Sequence, residues 1–290
     1  MDTHAQHRSM EDGSAARPGT QTHHIPVHGG TLVVGRFFAC LLLATLAACS
    51  STRQGGLDID RSIQAQSQNS RVDFIVLHYT SASNDASLRI LSERNVSSHY
   101  LITNEPRPRV YQLVNESRRA WHAGVSQWYG RSDLNSGSIG IEIVNQGRQG
   151  DEWDPYNPAQ IRTLALLLKD IVARHQIKAL NIVGHSDIAP QRKLDPGPLF
   201  PWRELARQGL GRWYDENLMR VYREEFLRQG MPDIAWVQKE LRRTGYDAPF
   251  GGTLDKATRN VIAAFQMHYR PALFDGNPDA ETLAILKALP

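Results

Sequence analysis

Two short runs constrain the fold more than any other feature of this chain. Residues 72–79 (Val-Asp-Phe-Ile-Val-Leu-His-Tyr) and 138–144 (Ser-Ile-Gly-Ile-Glu-Ile-Val) are β-rich and almost wholly apolar. Strands of that kind are buried on both faces, so the sheet they form needs a covering layer on each side. One cover is visible in residues 158–175, where Ile161, Leu164, Ala165, Leu168, Ile171 and Val172 recur with a helical period behind Pro158. Residues 100–103 and 109–114 read as two further strands about the Pro106-Arg107-Pro108 turn, and residues 87–94 as a helix. Residues 181–185 read as a short strand entering a Pro-rich loop that runs to Pro201, and Gly140 reads as a break in the second long strand. The fold class is α/β, a mixed central sheet flanked by helices.

A second, smaller unit begins after Pro232. Its first helix is marked by Ile234, Val237, Gln238 and Leu241, its second spans 255–269 and its third 279–289. Thr253 or Asp255 can cap the second helix, and Val261, Ile262 and Phe265 give it an apolar stripe. At ~60 residues such a unit is near the lower limit for independent folding.

The only long apolar run begins near Leu32 and is interrupted by Arg36, and residues 37–48 are too few to span a bilayer. One basic residue, an apolar stretch and then small residues make the layout of a secretory signal. The run ends Leu46-Ala47-Ala48-Cys49-Ser50, which resembles a lipobox in which Cys49 is acylated and becomes the mature N-terminus. Cys40 would leave with the signal, so Cys49 would remain alone and form no disulfide. Polar residues rich in Gln, Ser and Gly follow to residue 70, as in a flexible tether. Several acyl chains would hold it stably. Ser50 after the cysteine fits an outer-membrane lipoprotein facing the periplasm. The first 31 residues fit none of this: they hold five of the eleven histidines and no apolar period, so translation is expected to start at Val33 or Val34. A net charge of +3 is too mild to argue for nucleic acid.

The chemistry gathers at strand ends. His78 and His185 close two predicted buried strands, and Asp195 lies ten residues beyond His185 in the Pro-rich loop. A lone histidine at a strand end is ordinarily structural, but two imidazoles and a carboxylate make a three-ligand zinc site with a fourth position open. Around them, in order, come His78-Tyr-Thr, Ser97-Ser98-His99-Tyr100, Trp121-His122-Ala123-Gly124, Ser138-Ile-Gly-Ile-Glu142 and Gly184-His185-Ser186-Asp187-Ile-Ala-Pro190, continuing through Lys193 and Asp195. Taken together these motifs resemble the type 2 N-acetylmuramoyl-L-alanine amidases, which share a fold with peptidoglycan recognition proteins. The resemblance covers nearly the whole chain from Cys49 onward.

The resemblance implies that His78, His185 and Asp195 hold Zn2+. It also implies that Glu142 is the general base and that Lys193 steadies the oxyanion. Trp121, His122, Ala123 and Gly124 are candidates for the substrate groove; His99 is a candidate there too, though its own reading is structural rather than metal-ligating. His175 closes a helix, where an imidazolium complements the dipole, and His268 lies outside the catalytic unit and is given no role. The turns at Gly252-Thr253-Leu254-Asp255 and Asp275-Gly276-Asn277 resemble those of a three-helix peptidoglycan-binding domain, against which stands a cap that only packs on the catalytic unit. The expected organisation is a signal segment to residue 48, a lipidated tether over 49–70 and a catalytic domain over 71–207. A partly helical connection (208–231) and the helical domain (232–290) complete it. Expected partners are peptidoglycan, muropeptides and a membrane reached through Cys49, and the protein is expected to be monomeric. A zinc endopeptidase of the stem peptide and a non-catalytic peptidoglycan-binding or sensing lipoprotein are the competing readings.

Overall fold

The computed structural model describes residues 51–290, so the expected signal segment and Cys49 lie outside the described residues. Residues up to 66 form one unit and residues 67–290 another. In the first, β1 (Ser51–Gln54) and β2 (Leu57–Asp60) pair as an antiparallel hairpin. Gly55 and Gly56 both have positive φ, the backbone a two-residue hairpin turn requires. Part of the expected tether is thus a hairpin, because two adjacent glycines let it reverse.

The larger unit is built on a five-stranded sheet. Its strands are β3 (Phe74–Tyr79), β4 (Tyr100–Ile102), β5 (Val110–Gln112), β8 (Ser138–Ile143) and β11 (Ile182–Gly184), in the spatial order β11-β3-β8-β4-β5. Only β5 runs antiparallel to its neighbour, so the sheet is mixed. Two short ribbons decorate it: β6 (Gln127–Trp128) with β7 (Arg131–Ser132), and β9 (Arg148–Gln149) with β10 (Glu152–Trp153). Helix α1 (Asn84–Glu93) follows β3, with Ser83 as its N-cap.

The alternation of side chains along the strands decides what each face does. Ile75, Leu77, Ile139, Ile141, Ile143 and Ile182 are buried on one face with Ile161, Leu164, Leu168 and Ile171 of α2 (Pro158–His175). Each such side chain contributes about 1.5–3 kcal/mol by burial. Helix α2 starts in a capping box between Asn157 and Gln160, with Pro158 at its first position. Residues of the opposite parity (Phe74, Val76, His78; Ser138, Gly140, Glu142; Val183) share the other face, as the β3–β8 and β11–β3 registers require. That face carries the polar groups.

The strand over 138–143 is continuous through Gly140 rather than broken there. A Cβ at Gly140 would lie 2.5 Å from the ring of His122, so glycine is needed for the close approach of that imidazole.

After β11 come α3 (His185–Ile188), α4 (Trp202–Ala206) and α5 (Glu216–Gln229), then the three expected helices α6 (Ile234–Arg243), α7 (Lys256–Tyr269) and α8 (Ala280–Ala288). Asp255 rather than Thr253 caps α7, accepting from the Thr258 backbone N–H at 2.7 Å. Gln238 of α6 pins the turn before α7 by accepting from Gly252 N–H and donating to Thr253 O and Thr258 Oγ1. Gln266 of α7 repeats the device on Gly276, Asn277 and Thr282 before α8.

The connection 208–231 is not a loose linker, since Phe226 of α5 is buried in the same core as Leu283 and Leu286 of α8. That core also takes in Phe74, Val76, Trp128, Val183 and Ile188 beside Val261 and Phe265 of α7. The C-terminal helices therefore cover the face opposite α2.

Candidate active site

Register places the polar residues side by side. His78 on β3 stands directly opposite Glu142 on β8, and β11 delivers His185 one residue beyond its last pair. The Pro-rich loop then returns Asp195, whose carbonyl accepts from Ser186 N–H at 2.8 Å and fixes the loop against α3. As a result His78, His185 and Asp195, all buried, bring one potential ligand atom each to within 4.8 Å of one another. Asp195 Oδ2 is 2.8 Å from His78 Nδ1 and 3.1 Å from His185 Nδ1.

The outer nitrogens settle the tautomers. His185 Nε2–H donates to the Ala123 carbonyl at 3.0 Å, which leaves Nδ1 as a lone pair facing the centre. For His78 to face it likewise, Nε2–H must donate to His122 Nδ1, 3.1 Å away. His122 Nε2–H then donates to Ser138 Oγ, also 3.1 Å away. Such outer partners fix ring orientation and raise ligand basicity. Burial and the neighbouring His185 push the His78 pKa down to about 4, so it is neutral at pH 7. Burial opposes ionisation of Asp195, but His185 and His78 outweigh it and hold the carboxyl far below its usual range. Two imidazoles and one carboxylate are the donor set of an open, catalytic zinc site.

Glu142 has one carboxyl oxygen, Oε2, that is buried without a hydrogen-bond partner. Burial and then the Asp195 charge raise its pKa well above the usual carboxylate value, while Lys193 pulls the other way. It is a carboxyl poised to exchange a proton. Lys193 is half-buried and lines the cleft beside it, with no ion pair among the described residues. The cleft encloses about 450 Å³, and Trp121 and His122 form part of its wall.

Not every expected groove residue reaches the cleft. His99 and Ala123 sit behind the wall, 1 % and 0 % exposed. His99 Nδ1 accepts from Gly140 N–H at 3.0 Å and its Nε2–H donates to the Arg118 carbonyl at 3.1 Å, so the ring is consumed in joining strand to loop. Ala123 acts through its backbone, its carbonyl accepting from His185 Nε2–H and from Arg192. Gly124 faces a smaller recess with Arg192 and Lys193.

Three contributors escaped the sequence reading. Arg192 clamps the 121–125 loop to the ligand loop by donating to the carbonyls of Ala123 and Val125. Asn135 holds the same loop from the other side, accepting from the His122 and Ala123 N–H groups at 3.0 and 2.8 Å. The third is the buried carboxylate of Asp187, in the first turn of α3. It accepts from Gly184 N–H at 2.7 Å, from Tyr246 O–H at 2.6 Å and from His268 Nδ1–H at 2.8 Å. The last two donors come from the C-terminal helical unit, so His268, to which no role was given, braces the turn that carries His185. The alternation Ser138, Gly140, Glu142 was the available signal for the His122 pocket.

Comparison with known proteins agrees with this geometry. The N-acetylmuramoyl-L-alanine amidase domain family matches residues 68–198, and a peptidoglycan binding domain family matches 230–286. The chain is 45 % identical over 268 residues to the N-acetylmuramoyl-L-alanine amidase AmiD of Escherichia coli (strain K12), covering 88 % of this chain and 97 % of that protein. The chain belongs to the N-acetylmuramoyl-L-alanine amidase family. The amidase also superposes on the E. coli AmiD complex with anhydro-N-acetylmuramic acid-L-Ala-D-gamma-Glu-L-Lys, at 44 % identity and a TM-score of 0.73, over 83 % of this chain and 96 % of that one. AmpDh3 of Pseudomonas aeruginosa matches at 43 % identity and a TM-score of 0.76, over 80 % of this chain and 97 % of its own. The amidase thus carries the family's catalytic fold and its helical peptidoglycan-binding domain in one compact unit.

Proposed function

We propose that this amidase is a zinc enzyme in which His78, His185 and Asp195 hold the metal, Glu142 is the general base and Lys193 receives the developing negative charge. The observation that carries the reading is the convergence of two histidine Nδ1 atoms and one carboxylate oxygen directly beside a carboxyl of raised pKa. Zinc held by these three residues supplies Lewis acidity toward the scissile carbonyl and the attacking water. Glu142 takes a proton from that water as its oxygen adds to the lactyl carbonyl carbon, and gives it to the alanine nitrogen as the C–N bond breaks. The Lys193 ammonium meets the oxyanion between the two events. His122 keeps the His78 imidazole oriented throughout, through its contact with Nε2.

The substrate we assign is the muramic lactyl–L-alanine amide of peptidoglycan or its fragments, including anhydro-muropeptides. Support comes from the match to AmiD and AmpDh3 structures whose complexes contain an anhydro-muramyl tripeptide and an anhydromuramic pentapeptide. We assign the chain to the periplasmic face of the outer membrane, held by acyl groups on Cys49 in the Leu46-Ala47-Ala48-Cys49 sequence. The deciding assay is mass analysis of the products from a purified anhydro-muropeptide. Release of the intact stem peptide with a free L-Ala amine is expected; a cut inside the peptide would make the enzyme an endopeptidase. Metabolic labelling with palmitate tests the anchor, with label expected in the wild type and absent from Cys49→Ala.

A further inference from the structure

Ser70, His175 and Glu116 form a hydrogen-bonded chain that the zinc chemistry does not use. Ser70 Oγ lies 2.6 Å from His175 Nδ1, and His175 Nε2 lies 2.9 Å from Glu116 Oε2. Glu116, its pKa brought down to about 2, is an ionised acceptor, so Nε2 carries a proton toward it. In the neutral ring Nδ1 is then a lone pair that accepts from the Ser70 hydroxyl. The serine oxygen itself accepts from Val72 N–H at 3.0 Å, which fixes its place. A hydroxyl, an imidazole and a carboxylate, each within reach of the next, are the arrangement that makes a serine nucleophilic.

The surroundings suit the same role. Glu116 is held by Tyr100 O–H at 2.6 Å and by both Nη atoms of Arg174. The Arg174 cation stands 3.3 Å from Nε2 and opposes an imidazolium, but the carboxylate is nearer. His175 also ends α2, where the helix dipole favours a positive charge. The Glu116 and His175 side chains are 13 % and 15 % exposed and Ser70 is half-buried, so the chain is shielded yet open to a ligand. All three residues line one recess of about 600 Å³, which shares no wall residue with the zinc cleft. Arg71 and Arg118 line it too. Arg119 beside them is tied to Asp133 at 2.7 Å, whereas those two make no ion pair among the described residues.

We propose that this recess is a second, metal-independent hydrolytic site that cleaves short-chain esters of a carboxylate-bearing alcohol. Ser70 is its nucleophile, His175 its general base and Glu116 the residue that positions the base. Ser70 Oγ bonds to the acyl carbon as its proton passes to His175 Nδ1. The bond from that carbon to the alcohol oxygen then breaks, and the leaving oxygen takes the proton. Water adds to the acyl-serine and gives a proton to Nδ1, and the acid is freed as Oγ leaves and recovers that proton. Arg71 and Arg118 give the recess the positive charge that recognises the substrate carboxylate and steadies the oxyanion.

Hydrolysis of 4-acetoxybenzoate by the zinc-loaded protein, read as release of 4-hydroxybenzoate, tests the assignment, with the neutral methyl 4-acetoxybenzoate as the second substrate. Ser70→Ala and His175→Gln should each lose at least a hundred-fold in rate with muropeptide hydrolysis unchanged, and Glu142→Gln should keep the full esterase rate. Glu116→Gln, which removes the charge, should lower kcat at least ten-fold with KM unchanged. Arg118→Ala should raise KM several-fold for the charged ester and leave the neutral one unaltered. A fluorophosphonate should label the wild type at Ser70, a readout that needs no variant to fold. No label on Ser70, an esterase rate retained in folded Ser70→Ala, or one lost in Glu142→Gln would each overturn the proposal.

Discussion

Replacing Tyr246 by Phe removes one oxygen and leaves the ring packed against Trp128 and Phe265, whose centroids lie 5.0 and 5.8 Å away. That oxygen donates to Asp187 Oδ1 at 2.6 Å, and Asp187 is 1 % exposed. Burial and the Asp187 charge hold the phenol pKa well above its usual value, so the hydroxyl remains a donor at any ordinary pH. A hydrogen bond to a charged group contributes about 1.5–3 kcal/mol, and its loss leaves a buried carboxylate oxygen without that donor. We expect Tyr246→Phe to cost about 2 kcal/mol, a drop of about 4–8 °C in thermal midpoint for a unit of this size. The cost should fall on the zinc site as well, because the same carboxylate caps the turn that carries His185. Outer-shell partners of metal ligands are worth 10–100-fold in affinity, so about ten-fold weaker zinc binding is expected. Calorimetric unfolding and competitive chelator titration measure the two effects. A midpoint shift below about 1 °C with unchanged zinc affinity would refute the view that the C-terminal helices brace the catalytic turn.

Gly140→Ala should fold, because the strand conformation accepts alanine, but its Cβ would sit 2.5 Å from the His122 ring. We expect the displaced imidazole to lower turnover at least ten-fold with zinc retained, and wild-type kinetics would refute the role of His122. Acid stability provides a separate check. Burial opposes ionisation of Glu116, but hydrogen bonds from Arg174, Tyr100 and His175 bring its pKa down to about 2, below the ordinary 4.5. A carboxyl depressed on folding stabilises the protein above its unfolded pKa, and the contribution fades as pH falls from about 4.5 toward 2. Arg174→Ala should therefore flatten the loss of urea stability over that window, and parallel profiles in the two proteins would contradict the assignment.

The parts of this enzyme that were legible in its sequence are those set by local pattern. Helix α2 begins and ends where Pro158 and its apolar period place it, and the buried strands deliver His78 and His185 as their lengths require. What remained hidden depends on contacts between distant segments. Gly140 reads as a strand breaker until the 121–125 loop is folded over it, and Arg192 looks like a solvated loop residue until that loop supplies two carbonyls. His268 has no role in the sequence because its helix lies outside the catalytic unit, and a single apolar stripe (Val261, Ile262, Phe265) does not show what else covers that helix. From Ala264 to Arg270 every residue of that segment is buried, the signature of a helix covered on all sides, and the layer covering it includes the catalytic unit. The connection over 208–231 likewise gave no sign that Phe226 would share a core with α8.

In the proposed mechanism His78, His185 and Asp195 hold zinc while Glu142 performs the proton transfer. Zinc stoichiometry and turnover measured together on the wild type, Asp195→Ala and Glu142→Gln test it directly. About one zinc per chain is expected in the wild type and none in Asp195→Ala after dialysis. Glu142→Gln should keep full zinc but turn over at least a hundred-fold more slowly, the lower range for loss of a general base. Full zinc in Asp195→Ala, or wild-type turnover in Glu142→Gln, would contradict that mechanism.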